Sequence, residues 1–269
     1  MSNSCRPKVS IGMPVYNGEV FIRDALDSLV AQSFANFELI ISDNASTDHT
    51  EAICRRYASQ DSRINYVRQT KNIGADANFQ FVLDKATGEY FMWNAADDFR
   101  SKDCIEYYLS KIGNAGGVFT TYAVINRKDC SIVKRNVPEL STLQSRRESL
   151  KRFFIKNNSS FYYGLYKRQA LKECRAKLNG PFDWSDSYTV LKIIENHGFH
   201  AENCEPKYFA GIYGSYVVKP YKGKYLRPFK YFRDALGLAI FAGPIAFLYH
   251  LKILFKSLKL NVRIWRLSQ

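Results

Sequence analysis

The feature of this sequence that most limits its fold is a regular alternation of apolar runs and amphipathic helical patterns through the first hundred residues. The apolar runs have the length of buried strands and predict strands at residues 9–13, 37–42, 64–67 and 90–93. The amphipathic patterns predict helices between them, at residues 19–31, 48–57 and 75–85. Strands that alternate with helices over short loops indicate an α/β fold, with a mostly parallel sheet covered by helices on both faces.

Polar residues follow three of these predicted strands. Tyr16 and Asn17 come after the first strand, Asp43 after the second, and the adjacent carboxylates Asp97 and Asp98, here called the acidic pair, after the fourth. Ligands of open parallel sheets bind outside the carboxyl ends of the strands. Two neighbouring carboxylates repel each other, and a divalent cation is their usual partner. The sequence therefore predicts a ligand site with a bound cation at this edge of the sheet.

Two helix caps are also predicted in the first half of the chain, and the patterns of the second half are less regular than those of the first. Asn17 is predicted to cap the first helix, and Asp48 with Glu51 resembles a capping box at the start of the second. Residues 136–147 are polar and predict a mobile loop. The remaining patterns predict strands at 117–125, 131–134 and 161–166 and helices at 168–177 and 181–196.

The net charge of +14 is concentrated at the end of the chain. From Lys219 onward there are eleven Lys or Arg residues and one acid, whereas residues 1–218 carry only +4. Residues 235–251 are uncharged but are interrupted by glycine and proline, which disfavours a spanning helix. Five basic residues then recur at helical spacing beside an apolar face. This pattern indicates a basic amphipathic helix that lies on an anionic membrane, and it disfavours a nucleic-acid-binding protein.

The cysteines and the amino terminus bear on location. Six cysteines are scattered without a C-x-x-C pair, which disfavours a zinc or redox site and fits a reducing compartment. The polar start at residues 1–8 has no leader pattern, so a cytosolic protein is expected. We expect a domain at 1–218, with halves at about 1–100 and 101–218, and a basic amphipathic tail at 219–269.

Five short motifs occur in order along the first 216 residues: Met13 to Asn17, Ser42 to Asp48, Asn72 to Gly74 with Ala77-Asn78, Gly88 to Asp98, and Tyr163 to Arg168. Together they resemble the family 2 glycosyltransferases of the GT-A fold, of the type that assembles bacterial polysaccharides. The resemblance implies an inverting transfer of a sugar from a nucleotide-sugar donor to an acceptor hydroxyl.

The resemblance also implies roles for the residues after the first two strands. Pro14, Tyr16 and Asn17 would border the nucleotide base, and Asp43 would accept a hydrogen bond from a ring nitrogen of that base. A carboxylate at a strand end can accept N–H donors, but it can also cap the turn that follows it. Asn72 and Asn78 are assigned structural roles.

In the family, the acidic pair belongs to a motif that holds a divalent ion, Mn²⁺ or Mg²⁺, against the diphosphate of the donor. The common form has a further acidic residue two positions before the pair, where this chain has Ala95. Metal binding is therefore expected to rest on Asp98, as the first choice of direct ligand, and on Asp97, which would also contact the donor. The alternative for Asp97 is a helix N-cap.

The general base that deprotonates the acceptor hydroxyl is expected at the start of a helix in the second half. Asp186 and Asp183 compete for this role, with Asp186 favoured by its distance from the helix end. Trp184 between them is expected either to stack on a sugar or to pack beneath the helix.

These patterns lead to one hypothesis and one alternative. The hypothesis is a metal-dependent, inverting glycosyltransferase on the inner face of the cell membrane, whose acceptor is a glycan or lipid-linked intermediate of a surface polysaccharide. The alternative is a catalytically silent relative that binds nucleotide-sugar as a scaffold, which Ala95 favours.

Overall fold

The computed structural model describes residues 6–155, 159–175 and 185–212. The strands are β1 (Val9–Val15), β2 (Phe37–Asp43), β3 (Ile64–Arg68), β4 (Tyr90–Trp93), β5 (Phe99–Arg100), β6 (Gly117–Thr120), β7 (Tyr122–Asn126), β8 (Ile132–Arg135), β9 (Leu165–Lys167), β10 (Phe199–Glu202) and β11 (Tyr208–Ile212). The helices are α1 (Ile22–Val30), α2 (Thr50–Gln60), α3 (Ala75–Lys85), α4 (Cys104–Ile112), α5 (Arg146–Ile155), α6 (Arg168–Arg175) and α7 (Ser185–His197).

The strands form two sheets. The larger has seven strands in the order β10-β6-β9-β4-β1-β2-β3, and all its neighbours pair in parallel except β9, which is antiparallel to both β4 and β6. The smaller sheet has the order β5-β11-β7-β8. The predicted α/β architecture with a mostly parallel sheet is confirmed, and the predicted α3 and β4 have the observed bounds.

Neither predicted helix cap has the expected form. Helix α1 begins at Ile22, and Asn17 instead has a positive φ of 52° and accepts a hydrogen bond from the Thr47 amide at 2.9 Å. Asp48 does accept a bond from the Thr50 amide at 3.0 Å. The capping box is not formed, because the carboxylate of Glu51 pairs with arginine side chains of α2 and β3.

The predicted strand at 117–125 is wrong as a single strand. It breaks at Thr121, whose buried amide donates to Glu202 at 3.3 Å, so that β6 stays in the large sheet while β7 joins the small one. A uniformly apolar run does not reveal this change of sheet. Two consecutive strands can both be buried, so the pattern contains no break.

Two other predictions in the second half need correction. Residues 159–163 form a 3₁₀ helix, and only Leu165–Lys167 is strand. The loop predicted to be mobile is packed in its first part, where Val137 and Leu140 are buried and the Leu140 main chain exchanges two 2.9 Å hydrogen bonds with Ala201, whereas Leu143 is exposed. The sequence patterns did not predict the short elements β5, α4, α5, β10 and β11.

Part of the sequence analysis falls outside the described residues. Asp183, Trp184 and the basic tail lie there. Within the residues that the structure describes, no helix is long and apolar enough to cross a membrane.

An aromatic core joins the second half of the chain to the large sheet. Phe161 of the 3₁₀ helix is fully buried, and its ring lies 5.3–5.4 Å from those of Phe119 on β6, Phe153 on α5 and Phe199 on β10. The ring therefore contacts the neighbouring helix α5 and two strands of the large sheet that are distant in sequence.

We expect Phe161→Ala to lower the free energy of unfolding by about 3–5 kcal/mol, because it leaves a cavity among these rings. Urea unfolding followed by circular dichroism measures the change. Leu143→Ala is the control: this side chain is 96% exposed, and its removal should change stability by less than about 0.5 kcal/mol. Equal unfolding midpoints for the two variants would contradict this view of the core.

Candidate active site

The loops after β1 and β2 are joined by hydrogen bonds and form one wall of the site. The Asn17 amide donates to the Ser46 hydroxyl at 2.9 Å, and the Gly18 amide donates to the Thr50 hydroxyl at 2.8 Å. Pro14 is buried in β1, opposite Ser42 of β2, whereas Tyr16 is 50% exposed at the edge of the sheet. An exposed aromatic ring beside two linked loops offers a surface on which a nucleotide base can stack.

Asp43 is fully buried at the end of β2. One of its carboxylate oxygens accepts the Ser46 amide at 2.8 Å and the other accepts the Tyr66 hydroxyl at 2.7 Å. The bond to Ser46 is the turn-capping role that the sequence allowed. A carboxylate oxygen has more than one lone pair, so these bonds leave acceptor capacity for a ligand. The contact between Asp43 and a base stays a prediction.

The asparagines of the third motif have structural partners. Asn78 donates to the Ser42 carbonyl at 2.9 Å and accepts the Ser42 hydroxyl at 2.6 Å. Asn72 accepts the Asn44 side chain at 3.0 Å and the Gly74 amide at 2.9 Å. These bonds fasten the start of α3 to the end of β2.

The acidic pair follows β4, and its two members differ in environment. Asp98 is only 4% exposed; its carboxylate accepts the Tyr208 hydroxyl and, at 3.0 Å, the Gly211 amide. Asp97 is half-buried. Burial and the neighbouring charge of Asp97 raise the pKa of Asp98 to about 7, and burial also raises the pKa of Asp97. Both carboxylates therefore lie where burial disfavours their charged form.

Arg100, which the sequence analysis missed, supports the loop that carries the acidic pair. Its buried guanidinium donates to the Asn94 side chain at 2.8 Å and to the carbonyls of Trp93 and Tyr163 at 2.7 and 2.9 Å. It also lies 5.0 Å from the ring of Tyr208. No local pattern indicated this role, because Phe99 is the one apolar residue between Asp97 and Asp103 and arginine is rarely buried.

Asp186 lies in the first turn of α7 and is half-buried. Burial raises the pKa of its carboxyl group, and the charge of Asp76 adds to that rise. The pKa of Tyr163 is raised by burial and then by the charges of Asp98, Asp97 and Asp186, among others. The acidic pair and Asp186 thus lie near enough to the half-buried Tyr163 to influence its pKa, although they are almost ninety residues apart in sequence.

The donor set at this edge fits a hard divalent cation. Two adjacent carboxylates offer oxygen ligands of the kind that Mg²⁺ and Mn²⁺ prefer. A cation would also relieve the repulsion that raises the pKa of Asp98. Among the described residues there is no group of three or more acidic, histidine or cysteine side chains that could hold a metal ion.

We expect Tyr208→Phe to lower the free energy of unfolding by about 1–3 kcal/mol in metal-free buffer, because it removes a buried donor from the Asp98 carboxylate. Tyr57→Phe is the matched control, since it removes a hydroxyl that donates to the exposed Asp27 carboxylate at 2.6 Å. That change should alter stability by less than about 0.5 kcal/mol. Urea unfolding compares the two variants. An equal decrease in their free energies of unfolding would show that the bond to Asp98 contributes no more to stability than the exposed bond to Asp27.

Curated relatives match part of this chain. An uncharacterized glycosyltransferase of Rickettsia typhi is 34% identical over 134 residues, which are 48% of this chain and 41% of that protein. GlyA of Streptococcus pneumoniae, a glycosyltransferase, is 33% identical over 105 residues, 39% of this chain and 15% of that protein. TuaG of Bacillus subtilis, assigned provisionally to teichuronic acid biosynthesis, is 36% identical over 104 residues, 39% of this chain and 41% of that protein. The matches thus span less than half of each relative.

Solved structures and a family model complete the comparison. The structure of Staphylococcus aureus TarS in complex with UDP has a TM-score of 0.63 at 19% identity, over 87% of this chain and 65% of that one. The mannosyltransferase PcManGT of Pyrobaculum calidifontis, in complex with GDP-Man and Mn²⁺, has a TM-score of 0.54 at 21% identity, over 97% and 84% of the two chains. The model described as glycosyl transferase family 2 matches residues 10–175. The fold is therefore GT-A, and the chain belongs to glycosyl transferase family 2.

Proposed function

We propose that this protein transfers a sugar from a nucleoside-diphosphate sugar to an acceptor hydroxyl, with inversion at the sugar carbon. The observation that carries the proposal is that the acidic pair after β4 and the joined loops after β1 and β2 follow neighbouring parallel strands, with Asp186 near enough to influence the pKa of Tyr163 as the acidic pair does. The donor class is supported by the TarS structures, which hold UDP and UDP-GlcNAc, and by PcManGT, which holds GDP-Man. Tyr16, Asn17 and Asp43 are proposed to bind the base.

The acidic pair is proposed to hold a divalent cation, Mn²⁺ or Mg²⁺, as PcManGT does Mn²⁺ in its complex. When bound, the ion supplies Lewis-acid stabilisation of the diphosphate leaving group. The sequence analysis ranked Asp98 ahead of Asp97 as the direct ligand. The greater exposure of Asp97, and the two hydrogen bonds already accepted by Asp98, favour Asp97 as the first ligand, with Asp98 as its buried support.

Asp186 is proposed as the general base for the acceptor hydroxyl. Its carboxyl group is half-buried, which raises its pKa and makes it a better proton acceptor than an ordinary aspartate. Asp183 is the alternative base, and it lies outside the described residues. The amide of Ser187 donates to Asp186 at 2.6 Å and orients the carboxylate.

The acceptor is proposed to be a lipid-linked or glycan intermediate of a surface polysaccharide. Two observations support this: the similarity to TuaG, and the basic amphipathic pattern at residues 219–269. A protein held on the inner face of the cell membrane by this tail would meet a lipid-linked acceptor there. The tail supplies +10 of the net charge of +14, which suits attraction to anionic lipid.

A silent, nucleotide-sugar-binding scaffold is the second candidate, because Ala95 stands where the family motif has an acid. A thermal-shift screen of UDP, GDP, ADP and CMP with Mn²⁺ or Mg²⁺ tests donor binding. Nucleotide-sugars that carry the nucleotide selected by the screen are then assayed for hydrolysis or transfer of the sugar, which separates an enzyme from a scaffold. Stabilisation by at least one nucleoside diphosphate supports both candidates, and turnover supports only the enzyme. No stabilisation by any of them would overturn the donor site.

We expect Asp186→Asn to lower kcat by about 10²–10⁴-fold, since the amide cannot accept the acceptor's proton. Donor KM should change little, because the residue would act on the acceptor. Asp183→Asn is the matched variant and should retain most of the activity. A large loss with Asp183→Asn, together with near-normal activity of Asp186→Asn, would transfer the role to Asp183.

The same assignment predicts the pH dependence of the wild-type enzyme. The base works when ionised, so activity should fall as the pH is lowered through the pKa of Asp186. Because burial raises that pKa, the acid limb of kcat should lie above the value of about 3.9 for an unperturbed aspartate. An acid limb at or below that value would contradict a half-buried aspartate as the base.

The tail proposal predicts salt-sensitive binding to vesicles. The full chain should sediment with vesicles that contain phosphatidylglycerol, and binding should weaken between 50 and 500 mM NaCl. A chain that ends at residue 218 should remain in the supernatant, and neither chain should bind duplex DNA more tightly than vesicles. Equal sedimentation of both chains would place the membrane contact elsewhere.

A further inference from the structure

Arg127 links three elements that surround the acidic pair. It follows β7 and begins the turn to β8, and its side chain is only 13% exposed. The guanidinium pairs with the Asp24 carboxylate of α1 at 2.5 Å. The same group donates to the main-chain carbonyl of Asp97 at 2.8 Å. The Arg127 amide donates to the Ile212 carbonyl on β11 at 2.9 Å.

Two aromatic rings lie near the guanidinium. Its central carbon lies 5.6 Å from the centre of the Phe21 ring and 5.8 Å from that of Phe99. The main chain of Gly211 closes the remaining side: a Cβ there would overlap the Asp97 carbonyl oxygen and lie 3.0 Å from Nε of Arg127. The Gly211 amide in turn donates to Asp98 at 3.0 Å. Contacts from β11 and from Arg127 thus hold both members of the acidic pair.

One side-chain nitrogen of Arg127, Nε, is not satisfied by these contacts. Within the described part of the chain, the buried Nε has no hydrogen-bond partner. A buried donor without a partner destabilises a fold, so fold stability alone is a poor reason for an arginine here. Its two parallel tasks, an ion pair with α1 and a bond to the loop of the acidic pair, need the forked geometry that lysine lacks.

We propose that Arg127 is a positioning residue: it holds the main chain of Asp97 so that the acidic pair keeps the geometry that binds a divalent cation. The inference rests on the proposed metal site. Arg127 does not itself contact the cation; it acts as an outer partner that orients a ligand. Its contact is with the main chain, so the Asp97 carboxylate remains free to turn toward the ion.

The test measures Mn²⁺ binding directly, by the electron paramagnetic resonance signal of free Mn²⁺ in the presence of UDP and, in a second series, of GDP. Loss of an outer partner typically weakens metal binding 10–100-fold. We therefore expect Arg127→Gln to raise the dissociation constant for Mn²⁺ by about tenfold or more. Arg127→Lys should weaken binding as well, because lysine can retain the pair with Asp24 but cannot also reach the Asp97 carbonyl.

Asp24→Asn is the matched control. It breaks the ion pair at its exposed end and leaves the bond from Arg127 to Asp97 in place, so the Mn²⁺ dissociation constant should stay within about twofold. Unfolding midpoints of all variants, measured in parallel, separate a loss of affinity from a loss of folding. A loss of Mn²⁺ affinity in Asp24→Asn equal to that in Arg127→Gln would show that the ion pair, and not the Asp97 contact, matters.

Asp97→Asn distinguishes the inference from the function on which it rests. If Asp97→Asn binds Mn²⁺ as tightly as the wild type does, or the wild type binds none, the proposed metal site fails. If Asp97→Asn binds weakly while Arg127→Gln and Arg127→Lys bind normally, the metal site stands and the positioning role of Arg127 is overturned.

Discussion

The burial of Asp98 against β11 is the contact on which the rest of the candidate site depends. The Tyr208 hydroxyl and the Gly211 amide both donate to its carboxylate, so the end of β4 is fastened to the smaller sheet. A buried carboxylate is stable only with such donors. The small sheet therefore determines where the acidic pair lies relative to the loops that would hold a nucleotide.

This arrangement has a chemical consequence. The fold holds two like charges together in a poorly solvated place, and this burial and repulsion raise the pKa of Asp98. A cation bridging the pair and a diphosphate would neutralise it, so binding of donor and metal should support each other. Arg100 donates to the Trp93 carbonyl and Arg127 to the Asp97 carbonyl, so both hold the main chain of this segment.

The sequence predicted the first half of the molecule far better than the second. From β1 to β4 each element has its own periodicity, and the polar residues after the strands predicted a candidate site at one edge of the sheet. In the smaller sheet, β8 and part of β7 were predicted, whereas β5 and β11 were not, because they pair with each other across about 110 residues, as Phe99 does with Phe209. For the same reason the motifs named the acidic pair but not Tyr208, Gly211 or Arg127. Contacts between distant segments leave no local pattern in a single sequence.

The central claim is that the acidic pair binds the cation that holds the donor's diphosphate. Anomalous scattering from a crystal grown with Mn²⁺ and the nucleoside diphosphate that stabilises the protein tests it most directly. The account predicts one manganese peak in contact with the Asp97 carboxylate and with the diphosphate oxygens, and a nucleotide base beside Tyr16 and Asp43. A bound nucleotide whose diphosphate lies away from the acidic pair, or a manganese peak at another place, would contradict it.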